Sequence, residues 1–157
     1  MELKRAEQLA RFEMYKWGLK DWDFRFNTRC KRILGRCFFQ KERIELSTTY
    51  VELNDEDEVL DTIRHEIAHA MAYITDGDSG HGVAWKQWCL KTGANPLRVA
   101  TDVVMPKRKW QCCLVVKGIV VERFKWFAYR RSDISRRYMR GRKEETLGRL
   151  QWLPIES

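Results

Sequence analysis

Histidine, paired cysteine and long apolar runs are all scarce in this chain of 157 residues. No run approaches the roughly 20 apolar residues that cross a bilayer, so no membrane span is expected. The opening MELKRAEQLARFEMYKWGL has neither an unbroken apolar stretch nor a small-residue cleavage site. It reads as an amphipathic helix and not as a secretory signal. Five cysteines, at 30, 37, 89, 112 and 113, are odd in number and irregularly spaced. That is no secreted disulfide framework. The expected compartment is a reducing cytoplasm, nucleoid-associated in a cell, or the host's if the chain is viral. No repeat or low-complexity linker divides the sequence, which fits one compact domain or a small core with an appendage.

What is present begins with charge. The formal net charge is +8, and it is unevenly placed. Residues 106–157 hold 14 Lys and Arg against 5 Asp and Glu, a net of +9, while residues 1–105 hold 16 against 17. A field concentrated in the last third attracts polyanions, nucleic acid foremost, although a merely solvated basic face has the same composition.

Periodicity gives an α+β chain. Leu3, Ala6, Leu9, Ala10, Met14 and Trp17 recur at three and four, which predicts a first helix stopped by Gly18. From Trp22 to about Ser47, alternating Trp22, Phe24 and Phe26 and then Cys37-Phe38-Phe39 and Ile44-Glu45-Leu46-Ser47 predict a small antiparallel sheet ending in a turn. A second helix follows, with Asn54 as its cap, acids in its first turn, an apolar face of Val59, Leu60, Ile63, Ile67, Ala70, Met71 and Ile74, and a stop at Asp76-Gly77. A Gly-containing loop leads to a third helix from about His81 to Lys91. Beyond Pro106, residues 111–116 and 119–129 read as strands broken at Lys117-Gly118, and residues 150–153 close the chain.

The chemistry is concentrated in His65-Glu66-Ile67-Ala68-His69, an H-E-x-x-H within the second helix. Residues four apart share a helix face, so both imidazoles reach one point, and both lie opposite the Ile63–Ile67–Ala70 stripe. Zinc accepts imidazole nitrogens at about 2.0–2.1 Å, and its catalytic sites use three protein ligands plus a water. Glu66, about 100° round the helix from His65, stands beside such a metal as a general base. Two satisfied core histidines are the bland alternative. For a third ligand the sequence offers His81, the one histidine left, or the carboxylates of Asp76 and Asp78. Tyr50, Tyr73 and Arg64 are the candidate oxyanion donors, and nothing in the sequence chooses among them. Trp85 and Trp88 read as core.

His65-Glu66-Ile67-Ala68-His69-Ala70 followed by His81-Gly82-Val83-Ala84-Trp85 resembles the H-E-x-x-H-A and H-G-x-x-W pattern of the SprT-like (Spartan-type) zinc metalloproteases. Thr62 and Ile44-Glu45-Leu46-Ser47 are also similar, and the likeness covers about residues 20–105. It implies a zincin-like core over 1–105, in which one catalytic Zn2+ is held by His65, His69 and His81 with Glu66 as the base. It further implies a metalloendopeptidase acting on proteins bound or crosslinked to DNA. Many relatives end in a zinc ribbon of two C-x-x-C pairs. Here Trp110-Gln111-Cys112-Cys113 resembles the start of one, yet no C-x-x-C occurs anywhere. Residues 106–157 are therefore expected to be a basic, ribbon-like β-hairpin segment without zinc ligands, with Cys112 and Cys113 as packing residues. Arg130, Arg131, Arg136, Arg137, Arg140 and Arg142, interleaved with Trp126, Phe127, Tyr129 and Tyr138, suit single-stranded or irregular DNA. Two rival readings remain at this stage. One is a non-enzymatic DNA-binding protein with a structural zinc. The other is a zinc peptidase without a nucleic-acid role. Nothing here specifies an oligomeric state.

Overall fold

The computed structural model describes residues 1–30, 33–97, 103–128, 130 and 133–155. The chain forms two compact units, Met1–Pro106 and Lys107–Ser157.

In the first unit α1, Leu3–Lys16, buries Ala6, Ala10 and Met14, the stripe its spacing dictates. Gly18, at φ 77°, then turns the chain into a three-stranded sheet. Its strands are β1, Asp23–Asn27, β2, Gly35–Phe38, and β3, Arg43–Ser47, in the order β1-β3-β2. The sheet is mixed, which differs from the antiparallel one expected: β2 pairs antiparallel with β3, but β1 runs parallel to it. Alternation of apolar residues reports which face is buried and is blind to strand direction. The tight turn through Phe39–Lys41 makes β2 and β3 a hairpin, and β1 adds along the far edge of β3. Phe24, Ile44 and Leu46 point inward, while Arg25 and Arg36 stay exposed outside.

A short helix, α2, Thr48–Leu53, replaces the expected turn. Its β-branched residues are poor helix formers. Burial of Tyr50 and Val51, together with a cap in which Ser47 Oγ accepts from the Tyr50 amide, outweighs that preference. The long helix α3, Glu56–Asp76, presents Val59, Ile63, Ile67 and Ala70 to α1 and the sheet in one core. Each buried isoleucine there contributes about 2 kcal/mol by area. Another side of α3, Ala68 and Ala72, packs against Trp85 and Cys89 of α4, Val83–Thr92. Ile74, expected on the apolar face, is exposed in the last turn.

In the second unit β4, Trp110–Val116, lies between β5, Ile119–Phe127, and β6, Leu150–Pro154, all antiparallel. The expected hairpin is thus a three-stranded sheet, because the closing segment pairs with Trp110–Leu114 of β4. Lys117 and Gly118, at φ 52° and 79°, form the two-residue turn whose twist suits a hairpin. Cys112 and Cys113 are buried in β4, and all five cysteines are free. A short helix, α5, Lys143–Thr146, precedes β6. Among the described residues no helix is long and apolar enough to cross a membrane.

Candidate metal centre

The start of α3 is fixed twice. Asp55, and not Asn54, is its N-cap, with Oδ1 accepting from the Glu58 amide at 3.1 Å. Asn54 is instead buried, its side-chain amide donating to the carbonyls of Tyr50 and Val104. The Tyr50 hydroxyl donates to the Glu58 carbonyl at 2.8 Å and lies 2.9 Å from the Thr62 hydroxyl. This anchors the turn just before His65. One helical turn separates His65 from His69, so their imidazoles emerge from the same side.

His81 arrives by a built loop. Gly77 ends α3 in the left-handed conformation at φ 68°, where a side chain is strained. Asp78 Oδ1 then accepts from the Gly80 amide at 2.8 Å. A Cβ at Gly82 would lie 2.6 Å from Asp78 Oδ2, so glycine is what lets this turn close on the carboxylate. The loop brings His81 Nε2 to 3.1 Å from His69 Nε2. Ligand atoms of His65, His69 and His81 all lie within 4.8 Å of one another, and this is the metal-competent cluster found among the described residues. Trp85, fully buried, packs behind all three rings at centroid distances of 4.9, 5.4 and 4.5 Å.

The donor set fits a divalent first-row cation. Two nitrogens on a tetrahedral ion at about 2.0–2.1 Å stand roughly 3.3 Å apart, close to the His69–His81 separation. Two imidazole lone pairs face each other at such a distance only with a proton or a cation between them. Burial, and then the neighbouring imidazoles, push His65 down to about 4 and His69 to about 3, with Asp78 opposing the shift at His69. Both rings are therefore neutral at pH 7, the form that binds metal.

Glu66, the next residue along α3 from His65, packs against β2 and is buried. The Cys37 backbone amide donates to its carboxylate, and Arg36 attracts it, yet burial dominates and raises the carboxyl to about 8. Gly35 makes the fit possible: a Cβ there would meet Glu66 Cγ at 2.8 Å and Oε1 at 2.9 Å. The H-E-x-x-H motif gives no sign that Gly35 belongs to the site. An isolated glycine within a strand pattern was the available signal of close approach.

The remaining candidates separate clearly. Asp78 shapes the loop, and Asp76 bonds the Thr75 hydroxyl. Tyr50 is committed to Glu58 and Thr62, and burial raises its hydroxyl to about 12. Arg64 pairs with buried Glu13 at 3.0 Å. Tyr73, one turn beyond His69, stacks on Phe39 and is partly exposed. Trp88 stands edge-on to Trp17 and donates to the Thr75 hydroxyl. In the second unit Arg137 is paired with Asp133 at 2.8 Å, and Arg142 bridges Glu122 and Glu145 at 2.8 and 2.6 Å. Arg130 covers the Trp110 ring at 4.4 Å, whereas Arg136 and Arg140 are exposed. Arg131 and Tyr129 lie outside the described residues.

Comparison with known proteins agrees with the first unit. Germ cell nuclear acidic protein of Drosophila melanogaster is 36% identical over 59 residues, 34% of this chain. The match spans only 6% of that relative's length. The sequence profile of the SprT-like family matches residues 5–104, which include most of α1, the first sheet, the H-E-x-x-H helix and the helix after His81. With that match covering well over half its length, the chain belongs to the SprT-like family.

Proposed function

We propose that the chain is a zinc metallopeptidase that hydrolyses peptide bonds in DNA-associated or DNA-crosslinked proteins. The observation that carries this reading is three imidazoles converging on one point, with the buried carboxylate of Glu66 on the same helix. A structural three-histidine site has no use for that carboxylate, and three protein ligands are the pattern of catalytic and not of structural zinc.

His65, His69 and His81 hold the ion. When bound, zinc supplies Lewis acidity toward a carbonyl and lowers the pKa of water to about 7. Glu66 carries the proton: it accepts one from the attacking water and delivers it to the leaving amine. A carboxyl whose proton affinity burial has raised suits both halves of that task. The amide of Cys37 and the bare backbone of Gly35 hold the carboxylate in one position against β2. Trp85 keeps the ligand rings packed. Of the three candidate donors for the developing oxyanion, Tyr73 is the one whose polar group has no hydrogen bond or ion pair among the described residues.

The DNA part of the reading is supported by the net +9 of residues 106–157 and by the exposed Arg136 and Arg140. The Drosophila relative is by name nuclear, which agrees with a substrate near DNA. The test is cleavage of a DNA-bound protein by zinc-loaded protein, with and without single-stranded DNA, and again after chelation. Cleavage that needs zinc and rises with DNA supports the proposal. Zinc-dependent cleavage indifferent to DNA leaves a peptidase without a nucleic-acid role.

A further inference from the structure

The near-neutral total of the first unit conceals a sharp segregation. Residues 25–43 hold seven Lys and Arg against one Glu, whereas residues 45–61 hold seven Asp and Glu and no Lys or Arg. The pleat of the first sheet sorts the basic stretch further. Gly35 and Cys37 face Glu66, so Arg36 and Phe38 face outward, beside Arg43 of β3. The guanidinium carbons of Arg36 and Arg43 lie 4.8 and 5.2 Å from the Phe38 ring centroid, and the Lys41 ammonium lies 5.9 Å from it. Three cations gather on one ring. Arg43 has a carboxylate partner, Glu45 at 3.1 Å. Arg36 and Lys41 are exposed and have no ion-pair partner among the described residues. The negative face of the ring attracts each cation but leaves their mutual repulsion standing. An anion removes it.

We propose that Arg36 and Lys41, with Arg43 beside them, form a phosphate-binding site for the backbone of single-stranded DNA on the peptidase unit itself. This rests on the DNA reading above and goes beyond it, because that reading drew only on the basic second unit. The planar fork of an arginine matches phosphate, and a lysine adds a point charge that makes no demand on base identity. An acidic peptide shares the charge but presents carboxylates irregularly, whereas a nucleic-acid strand presents one phosphate per nucleotide. Arg36 lies between the two residues that hold Glu66, so DNA bound here runs beside the catalytic helix. A protein attached to that strand is thereby delivered to the histidine cluster, and one free in solution is not.

The test is salt-dependent binding of a labelled oligothymidylate to the full zinc-loaded chain, comparing Arg36→Glu with Lys41→Glu against Arg136→Glu with Arg140→Glu. The sheet variant is expected to bind about tenfold more weakly at low salt. Its slope of log affinity against log salt falls by about 1.4, two phosphates at about 0.7 each. Zinc content equal to wild type shows that the fold is intact. Wild-type affinity and slope in the sheet variant, with loss in the other, overturns this site and leaves the DNA reading standing. No binding by wild type itself overturns both. Unchanged DNA binding with selective loss of binding to an acidic peptide overturns the DNA assignment and makes the peptide the occupant.

Discussion

The two units put their charged and polar groups to different uses. In Met1–Pro106, with net charge near zero, the imidazoles of His65, His69 and His81 converge, Glu66 is held dry, and Arg36 and Lys41 are exposed without an ion-pair partner among the described residues. In Lys107–Ser157, where all the excess positive charge lies, Arg142 and Arg137 are tied to Glu122, Glu145 and Asp133. Net charge is thus a poor guide to where a chain can bind. The better guide is which charges fold leaves unpaired. A further consequence is a rule for substitutions: removing a site group from the first unit changes function more than fold, and removing a paired group from the second changes fold more than function.

The largest effect on the first side of this comparison is expected from His81→Ala. It removes one of three ligands and weakens zinc binding more than about a hundredfold, since even groups behind the ligands cost 10–100-fold. Competition with a chromophoric chelator reads the affinity, and an unchanged far-ultraviolet circular dichroism spectrum shows that the fold remains. Retained affinity would break the assignment of His81.

Gly35→Ala sharpens the comparison without touching a ligand. Its backbone is outside the positive-φ region, so alanine is tolerated there. The new methyl falls on Glu66 and on Leu46 Cδ2 at 3.0 Å. Displacing a base by a fraction of an ångström to 1 Å should lower kcat about 10–100-fold with zinc content unchanged. A normal kcat would show that Glu66 has room to shift.

The metal-free protein gives a smaller effect, read by pH. Folding lowers the pKa of His65 to about 4 and of His69 to about 3 from an unfolded value of 6.5. Below 6.5 the unfolded chain binds protons that the folded chain refuses, so stability falls as pH falls toward 4. The slope is on the order of 1 kcal/mol per pH unit for each histidine. Urea midpoints across pH 4–7 measure it, and zinc should shift the loss to lower pH. A flat profile would mean the rings are solvated.

On the other side, Arg142→Ala should produce the smallest change in function. Its loss frees Glu122 on β5 and Glu145 of α5, so unfolding of the second unit moves to lower temperature. Affinity for DNA should fall less than for Arg136→Glu with Arg140→Glu. A larger fall would make Arg142 a contact residue.

How much of this was legible in advance follows the range of the interactions involved. α3 was readable because its signals are local: acids in the first turn, the three-and-four stripe, and Gly77 at the end. The meeting of His65 with His69 follows from the same spacing. The arrival of His81 depends on Asp78, Gly80 and Gly82 closing a loop, a geometry that no periodicity encodes. Strand direction in β1, the helix at Thr48–Leu53, and the pairing of β6 with β4 are long-range outcomes in which packing overrode local preference. The pairing of Arg142 was equally invisible, because Glu122 lies twenty residues away.

The most direct test of the central claim is cleavage of an unstructured protein by wild type and by Glu66→Gln, each with zinc content measured. The account predicts equal zinc and a rate lower by about 10²–10⁴ in the variant, the usual contribution of a general base. Equal rates, or no cleavage by wild type holding one zinc per chain, would contradict it and favour a zinc site that serves structure alone.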